Sequence, residues 1–106
     1  MFASVTTAQF RPNALKKLPA LYHQLVPILK TVPGWCGVYV LANRQTGYSQ
    51  LISLWETEAA AVQFQTSGMF QRLGATVFNG LMVGPPQREL YAVVFQAHEV
   101  GVLSAG

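Results

Sequence analysis

Two carboxylates, Glu56 and Glu58, stand one residue apart in the run LWETEAAA, and a pair of carboxyl groups is a common device for general acid–base catalysis. Their setting points elsewhere. The strand rhythm that precedes them ends at Thr57, which has the residue type and position of a helix N-cap. Glu58 then falls in the first helical turn, where its charge complements the positive end of the helix dipole, and Glu56 lies just outside it. His23 is the catalytic candidate, because imidazole titrates near neutral pH. Helical spacing takes it off the Leu18, Tyr22, Leu25 and Leu29 stripe, toward solvent. Cys36, the single cysteine, allows no internal disulfide and reads in WCGVYVL as a small buried apolar residue more than a nucleophile. Ser49 and Ser53 alternate toward one side of a strand and are placed to orient a ligand, but the sequence puts no base beside them. With His98 far from His23, one Cys and no Asp, no metal-ligand spacing is recognisable within the chain, and a site shared between two chains stays open. No GxSxG, phosphate loop or dinucleotide fingerprint is present, so nothing points to nucleotide use.

The composition bounds what these residues can serve. A chain of 106 residues is enough for one domain, expected over 1–106 with a core of about 2–97 and a tail of 98–106. Its formal charge of +3 is scattered over the sequence, without the basic stripe that nucleic acid requires, so no nucleic-acid partner is expected. The N-terminus MFASVTTAQF lacks the pattern of a signal peptide, and no apolar run reaches the ~20 residues of a membrane span. A cytoplasmic protein with no membrane association is expected. Hydrophobic residues make up 51% and charged ones 10%, which leaves little polar surface for a monomer of this size.

The elements that must carry the candidates follow from periodicity. Phe2 to Phe10 mix β-branched and aromatic residues and read as a first strand, stopped by RPN. From Asn13, apolar residues recur at three and four, predicting an amphipathic helix that ends at Pro33 and Gly34. Pro19 and Pro27 sit awkwardly in it, so the spacing predicts a start near Pro19 or a kink near Pro27. WCGVYVLAN and YSQLISLW pair as a hairpin across the polar turn NRQTG. A second helix starts after Thr57 and is broken at Thr66 to Gly68, with Ser67 available to cap the second piece. The last strand is ELYAVVFQA, Glu89–Ala97, and VGVL beyond it is placed to extend or edge a sheet.

Strand, helix, strand, strand, helix, strand is the α+β, ferredoxin-like βαββαβ order: a four-stranded antiparallel sheet with its helices on one face. The later strands carry large apolar groups on both parities, whereas an antiparallel sheet usually turns one polar side to water. Something must cover the second face. A second copy of the chain is the expected cover, giving a homodimer; the alternative is the tail folded over the face.

The runs TVPGWCGVYVL and LWETEAAAVQFQTSGMFQRL resemble the antibiotic biosynthesis monooxygenase superfamily, in which two protomers form a dimeric α+β barrel. A proline-glycine turn leads into the second strand, a strand ends in Trp before a short polar cap, and the second helix breaks before an aromatic. Pro33, Gly34, Trp55, Thr57 and Phe70 match those features, and the resemblance extends from Phe2 to about Ala97. It implies oxygenases that use no metal or flavin and let an electron-rich quinol or polyketide reduce dioxygen, so no cofactor is expected; related members open the haem ring. Position by position, the family's polar handles are missing. The second-helix Trp of both groups falls on Phe64, the haem degraders' ligating His on Gly74, and the amide and phenol of the polyketide oxygenases on Ala60 and Phe70. Without an imidazole at Gly74, haem degradation is not expected. What remains is an apolar cavity in which Trp55, Phe64 and Phe70 bind a small hydrophobic ligand, beside the plainer reading of these rings as core. Two functions stay open: a cofactor-independent monooxygenase acting on a small electron-rich aromatic, and a non-catalytic binding or interaction dimer of the same fold.

Overall fold

The computed structural model describes residues 1–78 and 80–98. Strand β1 (Phe2–Gln9) leads through a 3-10 segment at Pro12–Lys17 into α1 (Leu18–Leu29); β2 (Trp35–Ala42) and β3 (Tyr48–Trp55) form the hairpin; α2 (Glu58–Thr66), α3 (Met69–Val77) and β4 (Gln87–Ala92) follow. All neighbouring strands pair antiparallel, in the order β2-β3-β1-β4, which is the ferredoxin-like arrangement.

Local chemistry explains the boundaries. Pro12 and Pro19 each stand in the first turn of a helical segment, where the missing N–H costs nothing, and the periodic run from Asn13 is thereby divided into a 3-10 turn and an α-helix. Thr57 caps α2, its hydroxyl accepting the Ala60 N–H at 3.1 Å. Both Glu56 and Glu58 are exposed, with Glu58 in the first turn, so the acids flank a cap. The Ser67 hydroxyl accepts the Met69 N–H at 3.3 Å as α2 gives way to α3, and Gly68 makes the turn with φ 82°. Gly34 is positioned the same way, at φ +81°, and an added Cβ would meet the Ala60 Cβ at 2.6 Å, so the Pro33-Gly34 turn packs directly on α2.

Two expectations are corrected. The last strand is β4, Gln87–Ala92, and not Glu89–Ala97. Its partner β1 begins at Phe2, opposite Ala92, and past that point, among the described residues, the only backbone–backbone bond is from the Val93 N–H to the Met1 carbonyl at 3.0 Å. Cys36 is exposed, not buried. The register slips between Trp35 and Gly37 on an edge strand, leaving Cys36 unpaired at a bulge, with its thiol 3.5 Å from the Gly34 carbonyl. The segment Val100–Leu103 and most of the tail lie outside the described residues.

Residues opposite one another across the strands share a face. Trp55, Phe64, Leu18, Leu25, Leu29, Phe10 and Phe78 form the core between the helices and one side of the sheet. On the other side Val5, Ile52 and Tyr39 stand in one row, and Tyr39, Leu41 and Tyr91 are 46%, 49% and 50% exposed. The second face thus carries a row of large apolar side chains, with Glu89 at its end and Thr7, Gln50 and Gln87 beside it. These apolar side chains are partly or fully exposed among the described residues, and most of the tail, the alternative cover, lies outside them.

Candidate functional site

The helix-facing side of the sheet is not apolar throughout. Ser4 lies opposite Ser53, Thr6 opposite Arg88, and Ala8 opposite Ser49, so a polar strip crosses the middle of the sheet beneath the helices. Above it the helices do not close down. They leave a cavity of about 300 Å³, at the small end of the range for ligand sites, floored by this strip and roofed by Leu25, Phe64, Phe70 and Leu73. Phe10, Phe78 and Met82 also line it.

Of the residues singled out from the sequence, Phe64 and Phe70 line this cavity, with ring centroids 6.1 Å apart at an interplanar angle of 73°. Trp55 stands behind the wall: it is 1% exposed, packs on Phe64 at 5.2 Å, and its indole Nε1–H donates to the Ser4 hydroxyl at 3.0 Å. The ring thus fixes Phe64 and Ser4 instead of presenting itself to the cavity. Ser49 and Ser53 line the floor, and the Ser49 hydroxyl donates to the Leu41 carbonyl at 2.9 Å. His23 is exposed on α1 and takes no part in the lining.

Sequence reasoning passed over Arg88, Thr6, Ser4 and Tyr22. Arg88 lines the cavity half-buried; its guanidinium donates to the Gln65 side-chain oxygen and to the Ala61 carbonyl at 3.3 Å, and lies over the Phe70 ring at 5.3 Å. Burial pulls its pKa below the ordinary value. Tyr22, on the cavity-facing stripe of α1, has its phenol pushed up to about 12 by burial. The missed signal was parity. With β4 starting at Gln87, Arg88 falls on the same side as Leu90, and with β1 starting at Phe2, Ser4 and Thr6 fall on one side with Ala8.

Haem does not fit this lining. Among the described residues no imidazole or thiol reaches the cavity, and Gly74 contributes only backbone. Tyr22 would have to ionise against its burial, and Met82 offers a thioether without an imidazole to pair with it.

The chain belongs to the antibiotic biosynthesis monooxygenase family, whose model matches residues 1–76. Among solved structures it is similar to an antibiotic biosynthesis monooxygenase-type protein of Bordetella bronchiseptica, with TM-score 0.74, 22% identity, and coverage of 89% of this chain and 97% of that one. The haem degrader MhuD of Mycobacterium tuberculosis, which holds two haems in its active site, superposes with TM-score 0.75 at 13% identity, over 92% of this chain and 100% of that one. Rv0793 from the same organism gives TM-score 0.67 at 18% identity, over 92% and 98% of the two chains. These likenesses establish the fold. No curated protein sequence matches the chain significantly. Among the described residues no helix is long and apolar enough to cross a membrane.

Proposed function

We propose that the protein is a cofactor-independent monooxygenase whose substrate is a small, hydrophobic, electron-rich aromatic of the quinol or polyketide kind. The observation that carries this reading is the cavity of about 300 Å³ between the Phe64 and Phe70 rings and the sheet, open in a family defined by monooxygenases. A flat system of up to three fused rings suits its size and its aromatic walls. The apolar lining orients the bound ring and shields its buried side from water, while the substrate supplies all the electrons. For a ring methylene activated by neighbouring hydroxyls, one atom of dioxygen becomes the new carbonyl oxygen and the other leaves as water, the four electrons coming from the carbon that is oxidised. Trp55 and Ser4 hold the wall in place, and Phe64 and Phe70 contact the ring.

The functional unit is a homodimer of one-domain chains, with the domain over 1–106. The row of Val5, Ile52 and Tyr39, with Leu41 and Tyr91 beside it, gives each chain an apolar patch on the sheet face away from the helices that a two-fold partner covers with its own equivalent.

The test is oxygen uptake and product spectra with a panel of hydroquinones and anthrones under air. Uptake above the uncatalysed rate with a product that has gained an oxygen atom, for at least one member, supports the reading. Rates equal to buffer across the panel, with the rings still bound, favour the second reading, a small-molecule-binding dimer without chemistry. The replacement of the family's polar handles by Ala60, Phe64 and Phe70 keeps that reading in view.

A further inference from the structure

We infer that the Arg88 end of the cavity selects a ring that carries a negatively charged oxygen, a carboxylate or an ionised phenol, over the same ring uncharged. The inference rests on the reading that the cavity holds a flat aromatic, and adds the charge that such a ligand must bear.

Arg88 is half-buried, and both groups it bonds are neutral: the Ala61 carbonyl and the Gln65 amide oxygen. Burial is the only cause that depresses its pKa, and among the described residues no acidic side chain lines the cavity. A cation partly withdrawn from water without a counter-charge is costly, and a ligand anion is what would offset it. A guanidinium has five N–H donors in a planar fork, of which two are engaged here, so donors remain for an oxyanion.

The neighbours of Arg88 extend this donor set. Thr6 is its direct partner across β1 and β4, and Ser53 and Ser4 face each other on the adjacent row. Thr6 and Ser53 are each 8% exposed, and neither hydroxyl has a hydrogen-bond partner among the described residues; neither is sealed from the cavity either. Ser4 accepts from Trp55, which leaves its own O–H to donate. Buried hydroxyls are normally satisfied. Three of them beside one guanidinium that has no carboxylate partner among the described residues, under a largely apolar roof, make a donor-rich end for an oxyanion and a greasy remainder for its ring.

The test uses the full chain and two rings of equal shape, 2-naphthoate and 2-naphthamide, titrated by calorimetry, with 2-naphthol titrated spectroscopically as a phenol probe. The naphthoate is expected to bind at least ten-fold tighter than the amide, or bound 2-naphthol to ionise at lower pH than free 2-naphthol. Arg88→Gln should remove either preference, the acid and the amide then binding with similar affinity. A naphthoate preference alone identifies a carboxylate ligand, and a naphthol shift alone an ionised phenol. Equal binding of acid and amide together with no naphthol shift overturns the inference, as does a preference that survives in Arg88→Gln. Because Arg88 also ties β4 to α2, a variant that keeps it, Thr6→Val with Ser53→Ala, gives a second test: the preference should fall at least three-fold, and an unchanged preference overturns the inference. Oxygen uptake is read separately. Anion selectivity without uptake keeps this inference and removes the oxygenase; uptake without selectivity does the reverse.

Discussion

Gly74 is the point at which the cavity can be filled without disturbing its walls. It lies within α3, lines the cavity, and a Cβ added there meets nothing within 4 Å. Gly74→Ala should stabilise the fold by about 1 kcal/mol through helix propensity alone. Gly74→Leu places three further carbons in the cavity, at about 0.8 kcal/mol each. Losing ~0.5–1 kcal/mol of rotamer freedom leaves roughly 2–3 kcal/mol in total over the native glycine. At about 4–8 °C per kcal/mol, the Ala variant should melt roughly 5 °C higher and the Leu variant more than 10 °C higher, at a fixed protein concentration. Thermal unfolding by circular dichroism measures this, and calorimetry with 2-naphthol measures the accompanying change in binding. A stability gain with at least a ten-fold loss of affinity is the expected pair for Gly74→Leu, because the leucine occupies the ligand's space. A destabilised Leu variant would show that the space is not there. A stabilised one with unchanged affinity would place the ligand elsewhere.

Other perturbations test other parts of the account. Ser4→Ala leaves the Trp55 indole N–H buried without its acceptor and should cost about 1–3 kcal/mol in urea unfolding. Tyr22 holds its proton more tightly folded, near 12, than unfolded, near 10. Its contribution is therefore fully present below about pH 10 and is lost as pH rises toward about 12, by roughly 2–3 kcal/mol; unfolding curves of Tyr22→Phe should show correspondingly less alkaline loss. Leu41→Lys puts a charge on the sheet face away from the helices and should convert a sedimenting species of twice 11.6 kDa into one of 11.6 kDa, whereas a wild-type monomer would remove the dimer from the account.

The fold was legible because its signals are local. The Thr57 cap, the Pro33-Gly34 turn, the hairpin turn and the break at Ser67–Gly68 each act within a few residues, and the structure places each where its chemistry requires. The site was half legible. Phe64 and Phe70 announced themselves by size and spacing, but Trp55, the largest ring among them, is taken up by its bond to Ser4. Arg88 and Thr6 meet across β1 and β4, some eighty positions apart in the chain, and no periodicity within either strand records that meeting. Cys36 shows the converse: its apolar neighbours argue for burial, while a bulge that depends on the pairing of β2 with β3 turns it outward.

The central claim is that the space under Phe64 and Phe70 is where a reduced aromatic meets dioxygen. The most direct measurement is oxygen consumption by an electrode with anthrone, with anthraquinone formation followed in parallel, comparing buffer, the native protein and Gly74→Leu at equal concentration. Acceleration by the native protein that drops to the buffer rate when leucine fills the cavity is the predicted result. Identical traces for all three, or acceleration that persists undiminished in the leucine variant, would contradict it.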